Sequence, residues 1–287
     1  MSGPDGADNT DIQAADMNGD GDVDLVGESM GRLWISLGRE GQLTISPTVE
    51  LGGAYNAANG HHTDALRAGQ LLPLIEPYTG LGYAHVGGGG ESMDPSKLNV
   101  TGPDALVDWV VVELRDPANP AIRSATRSAL VQRDGDVVDV DGVSPLRFDL
   151  PIASYHVAIR HRDHLGVMTA SPIAFFAGVN TIDFTNPATL TWGTDAQNNV
   201  GGTMVLWPGD VNFDGVVKYM GANNDRDPIL IAVGGSTPTN TVSNVYSAAD
   251  VNMDGVIGYA GANNDRDIIL QTIGGTVPTA TRVQQLP

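Results

Sequence analysis

A repeat with a period of forty residues near the C-terminal end constrains this chain more than any other feature. The segment from Asp210 to Thr241 (DVNFDGVVKYMGANNDRDPILIAVGGSTPTNT) returns without a gap from Asp250 to Thr281 (DVNMDGVIGYAGANNDRDIILQTIGGTVPTAT). About two thirds of the aligned positions are identical, and every acidic residue recurs. Such close repetition predicts one structural unit used twice, whose halves pack together. Trp207-Pro208-Gly209 predicts its upstream boundary.

Each copy opens with oxygen-bearing side chains in the pattern D-x-N-x-D-G. A calcium ion takes about six to eight oxygens, and such a loop supplies them from alternate positions, with a backbone carbonyl at position 7 and a glycine for the sharp turn. Calcium (Ca2+) is therefore the expected cofactor, and a metal-free loop held by Asx turns is the alternative. The predicted ligands are Asp210, Asn212, Asp214 and Val216 in the first copy, and Asp250, Asn252, Asp254 and Val256 in the second.

The twelfth loop position departs from the usual pattern, because direct counting places Gly221 and Gly261 there and glycine has no carboxylate. A six-residue insertion within KYMGANN and GYAGANN would make Asn224 position 9 and Asp227 position 12. Asn224 would then cap the following helix, and Asp227 would lie in its first turn, where the helix dipole favours an acid. The further candidate ligands are therefore Asn224, Asp227, Asn264 and Asp267, with Asp225 and Asp265 competing for the bidentate role.

Two such loops, each leading into a short apolar helix, resemble the type I dockerin module. The resemblance covers residues 207–287. It implies one calcium ion in each loop-helix half and a pair of helices that docks onto a cohesin partner. We therefore expect an interaction role for this end of the chain.

A third acidic loop lies near the N-terminus, in the run DMNGDGDVD. It leads into DLVGESMGRLWISL, which predicts a hairpin turning at Ser29 to Gly31. The run resembles one FG-GAP or VCBS repeat, which implies a calcium loop between strands. The single copy does not predict a propeller. The candidate ligands are Asp16, Asn18, Asp20, Asp22 and Asp24.

The central part of the chain has the pattern of short strands. Ala105 to Leu114 is apolar on both faces, as a central strand would be. Ala129 to Val140 predicts two strands joined at Asp134-Gly135, and Tyr155 to Arg160 alternates like a half-buried strand. The expected fold class is mainly β, an antiparallel, Ig-like β-sandwich with a small C-terminal module of calcium loops and short helices. The predicted domains are 1–50, 51–206 and 207–287.

Charge and composition exclude several classes of partner. The 287 residues carry 34 Asp+Glu against 15 Lys+Arg, a formal charge of -19, so phosphate backbones and anionic lipid would repel the chain. We therefore expect neither a nucleic-acid partner nor membrane insertion. The absence of cysteine excludes disulfides and thiolate metal sites. The first residues show no signal peptide, so the leader is expected to have been removed or the chain to belong to a longer protein.

No enzymatic motif stands out. His161-Arg162-Asp163-His164 could chelate zinc, but it is expected to form a solvated turn between strands. Scattered aromatic residues could form a sugar-stacking platform, although core packing explains them better. These residues are Trp109, Trp192, Trp207, Tyr55, Tyr78 and Tyr83.

The whole arrangement looks like C-terminal modules of large secreted surface proteins of Bacteroidetes, in which the central stretches ALVDWVVVELRD, ALVQRDGDVVDVDG and HRDHLGVMTA recur. That likeness implies an extracellular bacterial setting, secreted or attached to the cell surface. We expect a non-enzymatic, calcium-stabilised structural protein, such as a subunit of a surface filament. Its expected partners are other copies of itself, joined head-to-tail, or a surface protein. The alternative is a carbohydrate-binding or enzyme-anchoring accessory module, for which glycans would be the partners.

Overall fold

The computed structural model of this chain describes residues 12–15, 24–29, 32–36 and 42–287. Short β-branched and apolar runs separated by Gly, Pro, Asn and Asp turns give it many short strands. The first eleven are β1 (Ile12–Ala15), β2 (Asp24–Ser29), β3 (Arg32–Ser36), β4 (Leu43–Thr48), β5 (Glu50–Leu51), β6 (Tyr55–Asn56), β7 (His61–His62), β8 (Leu106–Arg115), β9 (Arg123–Gln132), β10 (Val137–Val138) and β11 (Leu146–Phe148).

The remaining elements include the only helices of the described residues. The strands are β12 (Ser154–His161), β13 (His164–Met168), β14 (Ile173–Ala174), β15 (Val179–Asp183), β16 (Gln197–Val200), β17 (Thr203–Leu206), β18 (Val216–Lys218), β19 (Thr241–Ser243), β20 (Val256–Gly258) and β21 (Thr281–Val283). The helices are α1 (Ala65–Ala68), a 3-10 helix (Pro95–Asn99), α2 (Arg226–Ala232) and α3 (Asp265–Thr272).

The central layer is an antiparallel sheet in the order β10-β9-β8-β12-β13, with β14 also pairing with β12. Its middle strand, β8, is buried along its whole length. One reason is that a segment containing Pro73 and Tyr78 covers it. The Tyr78 hydroxyl donates to the Trp109 carbonyl, and the Trp109 indole donates to the Pro73 carbonyl. This confirms that the apolar run beginning at Ala105 forms a central strand.

The second layer consists of two three-stranded sheets, β11-β4-β15 and β16-β17-β5. Burial alternates along β4, so Leu43 and Ile45 point inwards, into one core with Leu130 and Val157 of the central sheet. The neighbours within the layer are antiparallel except for the pairs β4–β15 and β5–β17. The predicted mainly β fold with an antiparallel β-sandwich is thereby confirmed.

Two details of the sandwich differ from the sequence analysis, and the N-terminal strands pair as expected. Strands β4 and β5 belong to the sandwich, although residues 1–50 were assigned to a separate N-terminal element. Strand β12 is buried on both faces instead of one, since side chains of both alternations are buried along it. Strands β2 and β3 pair antiparallel, with Ser29 opposite Arg32, as the predicted N-terminal hairpin requires.

The two C-terminal repeats exchange strands. Strand β18 of the first repeat pairs with β21 at the end of the second, and β19 at the end of the first pairs with β20 of the second. Val217, Ile229, Ile257 and Ile269 from both repeats are buried in one core. Because neither half completes a sheet or a core without the other, the repeats form one module.

Two apolar side chains cross between the module and the sandwich. Leu165 on β13 is buried in the core of the module, and Met253 of the second repeat is buried in the core of the sandwich. The Leu165 N–H also donates to the Trp207 carbonyl, just before the module begins. Among the described residues, no helix is long and apolar enough to cross a membrane.

Candidate metal centres

The first acidic loop is folded around the Asp210 carboxylate. Its two oxygens accept hydrogen bonds from the backbone N–H groups of Asp214 and Gly215, both at 3.0 Å. Gly215 has a φ of +82°, which glycine adopts without strain and which closes the turn. The carboxylate is thereby held inside the loop, where only 1% of the residue is exposed.

Asn212 and Asp214 continue the alternation at the open side of the loop. The Asn212 side-chain oxygen accepts from the Asp214 N–H at 2.9 Å, and the Asp214 carboxylate accepts from the Val216 N–H at 2.9 Å. These Asx turns leave carboxylate and amide oxygens near the mouth of the loop. The predicted ligand positions 1, 3 and 5 are thus brought into one turn of chain.

A second buried carboxylate, that of Asp225, lies against Asp210. One of its oxygens accepts from the Val211 N–H at 2.8 Å, and the other accepts from the Lys218 N–H at 2.7 Å. Burial, followed by the charge of Asp210, raises the pKa of Asp225 to about 7. Burial likewise raises the pKa of Asp210 to about 6. Both shifts have the same cause, because the buried loop disfavours the charged form of each carboxyl group.

The other candidates for positions 9 and 12 have a different arrangement. The Asn224 side-chain oxygen accepts from the Asp227 N–H at 3.0 Å, and its amide donates to the Gly221 carbonyl and to the Asp227 carboxylate. The Asp227 side chain is 52% exposed and lies beside Arg226. Asn224 and Asp227 therefore cap the start of α2, whereas Asp225 is the acid that lies next to Asp210.

The second loop repeats this geometry almost bond for bond. Asp250 accepts from the backbone of Asp254 and Gly255, and Asp265 accepts from Val251 and Gly258, at distances of 2.7–3.1 Å. Burial raises the pKa of Asp250 to about 7 and that of Asp265 to about 6. The remaining candidates follow the first loop: Asn252 and Asp254 form the Asx turns before Val256, and Asn264 and Asp267 cap α3.

These loops fit a hard divalent cation. Each holds two buried carboxylates, and among the described residues no Lys, Arg or His forms an ion pair with Asp210, Asp225, Asp250 or Asp265. Two buried, unpaired carboxylates side by side are costly, and a cation that accepts only oxygen ligands would neutralise them. All the side-chain donors are oxygens, which is the preference of calcium rather than of zinc or copper.

The N-terminal candidates cannot be placed in the same way. Asp16, Asn18, Asp20 and Asp22 lie outside the described residues. Asp24 begins β2, where its backbone pairs with Ala15. The third predicted calcium loop therefore stays a prediction.

The stretch His161-Arg162-Asp163-His164 is fully buried, so the expectation of a solvated turn was wrong. Packing of the C-terminal module against this hairpin removes it from water, and that long-range contact was not visible in the sequence. The ring nitrogens Nδ1 of His161 and His164 lie 2.8 Å and 2.5 Å from the same Asp163 oxygen. This is the one His/Asp group in the described residues whose ligand atoms converge as for a metal.

Hydrogen bonding explains this group without a metal. His164 Nε2 accepts from the Gly53 N–H at 3.0 Å, so the ring's proton is on Nδ1 and points at Asp163. A metal on Nδ1 would move that proton to Nε2, against the Gly53 N–H. His161 faces a carboxylate with each nitrogen, Asp163 at Nδ1 and Asp108 at Nε2. Burial opposes the charged ring, but these two carboxylates raise the pKa of His161 above its usual value.

The group is charge-balanced, and it joins the sandwich to the module. The Arg162 guanidinium donates to Asp108 and Asp163, so two cations face two anions. Arg162 also donates to the Ser247 carbonyl, and the Tyr246 hydroxyl donates to Asp108 at 2.6 Å. Ser247 and Tyr246 lie just before the second loop. We conclude that this buried network holds the second repeat in place.

The aromatic residues do not form one platform. Trp109 and Tyr78 are fully buried in the core of the sandwich. Tyr83 faces a cleft beside the first loop, Tyr55 faces another beside the second, and Trp207 stacks under Arg282. Trp192 packs edge-on against His156. Core and interface packing therefore accounts for the three tryptophans and Tyr78, whereas Tyr55 and Tyr83 face clefts.

No protein-family model matches the chain, and no curated protein matches it either. Among solved structures it is similar to two interface mutants of a type II cohesin–X–dockerin complex from Acetivibrio cellulolyticus, one mutated at the C-terminal and the other at the N-terminal interface. The matches have 14% and 15% identity, cover 84% and 80% of this chain and 97% and 94% of the other, and have TM-scores of 0.33. Similarity at this level carries no argument about fold or function, so the site must be interpreted from its own geometry.

Proposed function

We propose that this chain is a non-enzymatic, calcium-stabilised structural or interaction protein. The observation that carries the proposal is the pair of buried carboxylates in each C-terminal loop, Asp210 with Asp225 and Asp250 with Asp265, which form no ion pair with a Lys, Arg or His of the described residues. A bound calcium ion would supply the missing charge. It would then favour the folded module over the unfolded chain by mass action.

The ligand set that the geometry favours differs from the spacing rule at the closing acid, position 12. Positions 1, 3, 5 and 7 are Asp210, Asn212, Asp214 and the Val216 carbonyl, and the closing acid is Asp225 rather than Asp227. The corresponding closing acid of the second loop is Asp265. Support comes from burial and proximity, because Asp225 lies against Asp210 whereas Asp227 belongs to the helix cap. Asn224 and Asn264 act as capping residues in this assignment.

An interaction role fits the exposed face of the first repeat. Ile231 on α2 is 72% exposed and Met220 in the preceding turn is 45% exposed. Together with the dockerin-like loops, these apolar side chains support docking to a protein partner, either another copy of the chain or a surface protein. We place the protein outside the cell, where calcium is available to weak sites. Head-to-tail contacts between copies would produce a filament.

Isothermal titration of the calcium-free chain with calcium tests the metal assignment. The wild type should bind two ions in the C-terminal module, and a third if the N-terminal loop also binds. Asp225→Asn and Asp265→Asn should each remove one ion. Asp227→Asn and Asp267→Asn are matched controls in the same helix turns, and they should keep full stoichiometry. Loss of an ion in the controls but not in Asp225→Asn would move the closing acid to the cap position.

The assembly is tested separately by sedimentation and negative-stain microscopy in millimolar calcium and after chelation. Filaments that dissociate or soften on chelation support a calcium-stabilised subunit. A monodisperse monomer in both conditions would remove self-assembly from the proposal and leave a different protein as the partner.

A further inference from the structure

A cleft of about 540 Å³ beside the first loop collects positive charge on an otherwise acidic chain. Arg115 at the end of β8, Arg123 at the start of β9 and Arg160 on β12 line it. Tyr83 and Phe213 form its aromatic walls, and Phe213 lies within the first loop itself. Three of the chain's 15 basic residues thus converge on one concave site, so their charges need an explanation.

The anion within reach, Glu113, is already engaged. Its carboxylate is fully buried and accepts from Arg115 Nε at 2.6 Å and from the Tyr83 hydroxyl at 2.5 Å. Arg115 donates its remaining hydrogens to the Pro120 carbonyl and to the Pro287 oxygen. Three arginines therefore share this one glutamate, so positive charge in the cleft exceeds the charge of Glu113.

Arg123 and Arg160 stack on aromatic rings and share the carboxylate of Glu113 with Arg115. The Arg160 guanidinium lies 5.3 Å from the Phe213 ring centroid and 6.0 Å from that of Tyr83, and its Nη1 forms a long ion pair of 4.0 Å with a Glu113 oxygen. Arg160 Nε is buried, and among the described residues it donates no hydrogen bond. Arg123 lies 5.0 Å from the Tyr83 centroid. A stacked guanidinium with an unused buried donor, as on Arg160, is pre-organised to accept an anion.

We propose that this cleft binds a compact ligand carrying one carboxylate, such as a uronic acid, with Arg123 and Arg160 as the anion-binding residues. A planar carboxylate matches the two-pronged donor geometry of arginine. The volume exceeds that of a bare anion and suits a ring, which would lie along Leu81 and Ala84. The overall charge of -19 opposes polyanions, so a single negative charge is favoured. This inference goes beyond the proposed calcium role, because its anion-binding residues lie on the sandwich.

The test is titration calorimetry of the full chain with sodium D-glucuronate, in calcium and again after chelation. D-glucose, the neutral counterpart, should not bind. Arg123→Gln and Arg160→Gln should each weaken glucuronate binding about tenfold, the loss expected for a charge-assisted hydrogen bond. Arg147→Gln removes an exposed arginine outside the cleft and should bind like the wild type.

Three results with the wild type would overturn the inference: no heat with glucuronate, equal binding of glucose, or displacement of glucuronate by an equal concentration of sulfate. Unchanged binding in Arg123→Gln would also overturn it, and circular dichroism of that variant shows whether it is folded. Because glucuronate binding is measured with and without calcium, a failure of the calcium proposal is distinguishable from a failure of this inference. The former would leave glucuronate binding dependent on Arg123 and Arg160 whether or not calcium is present.

Discussion

The two C-terminal repeats have nearly the same sequence and the same loop geometry, yet they lie in different surroundings. The second loop is packed on the sandwich, with Met253 in its core and the Val251 carbonyl against Gly53. The first loop forms a cleft wall with Phe213 at the position equivalent to Met253, and its helix exposes Ile231 where the second has Gln271. The comparison teaches that the repeated acids determine the loop, whereas the unrepeated residues between them determine what each repeat contacts.

The largest difference is expected at the equivalent positions 213 and 253. Met253→Ala should destabilise the calcium-loaded chain by about 3 kcal/mol, because it leaves a cavity in a closed core. Phe213→Ala should cost less, since Phe213 is only partly buried. Both residues have a φ near +58°, so backbone strain is matched between the two variants. Urea unfolding in saturating calcium measures both. Equal losses would contradict the idea that the second repeat is anchored to the sandwich more firmly than the first.

Close backbone approach provides a second comparison. A Cβ at Gly53 would lie 2.1 Å from the Val251 carbonyl oxygen, so Gly53→Ala should push the second loop off the sandwich at a cost of about 2 kcal/mol. Gly258→Ala, within the second repeat, is the control, because its added Cβ would meet nothing closer than 3.8 Å. Thermal unfolding with calcium should show a lower midpoint for Gly53→Ala alone. Similar midpoints for the two variants would show that this contact can yield without loss.

The sequence was informative where the determinants are local. Alternating acids and a glycine predicted the loop around Asp210, and a doubly apolar run predicted the central strand. It did not resolve the choice between Asp225 and Asp227, because a spacing rule cannot show which of two nearby acids turns inwards. It also failed for His161 to His164, because burial there depends on a module that follows much later in the chain. Pairing of β18 with β21 is likewise a long-range property.

The buried network makes the contact of the second repeat sensitive to acid. Burial lowers the pKa of His164 to about 4, with His161 and Arg162 opposing and Asp163 favouring protonation. Its folded-state pKa is below the unfolded value of 6.5, so its contribution is complete above pH 6.5 and is lost as the pH falls towards 4. Between pH 6.5 and 5.5 this contribution should fall by about 1 kcal/mol.

The measurement is an NMR titration of the imidazole rings in saturating calcium, combined with urea unfolding at each pH. The His164 ring should titrate near pH 4, and the His161 ring should have its titration midpoint above pH 6.5. His164→Gln should remove the acid-dependent step from the unfolding data. If the His164 ring titrated near 6.5, the network would not couple pH to the anchoring of the second repeat.

The smallest expected effect on stability is also the sharpest test of the division between the repeats. Ile231→Gln gives the first helix the residue that the second has at the equivalent position, Gln271. Because Ile231 is 72% exposed, the free energy of unfolding should change by less than about 0.5 kcal/mol. Association with the protein partner should nevertheless weaken, since the apolar face of the first repeat would be reduced. Sedimentation of the chain in calcium measures self-association, with Gln271→Asn as the matched exposed control. If both variants associate like the wild type, the first repeat is no more a docking face than the second, and the exposed isoleucine is only a surface residue.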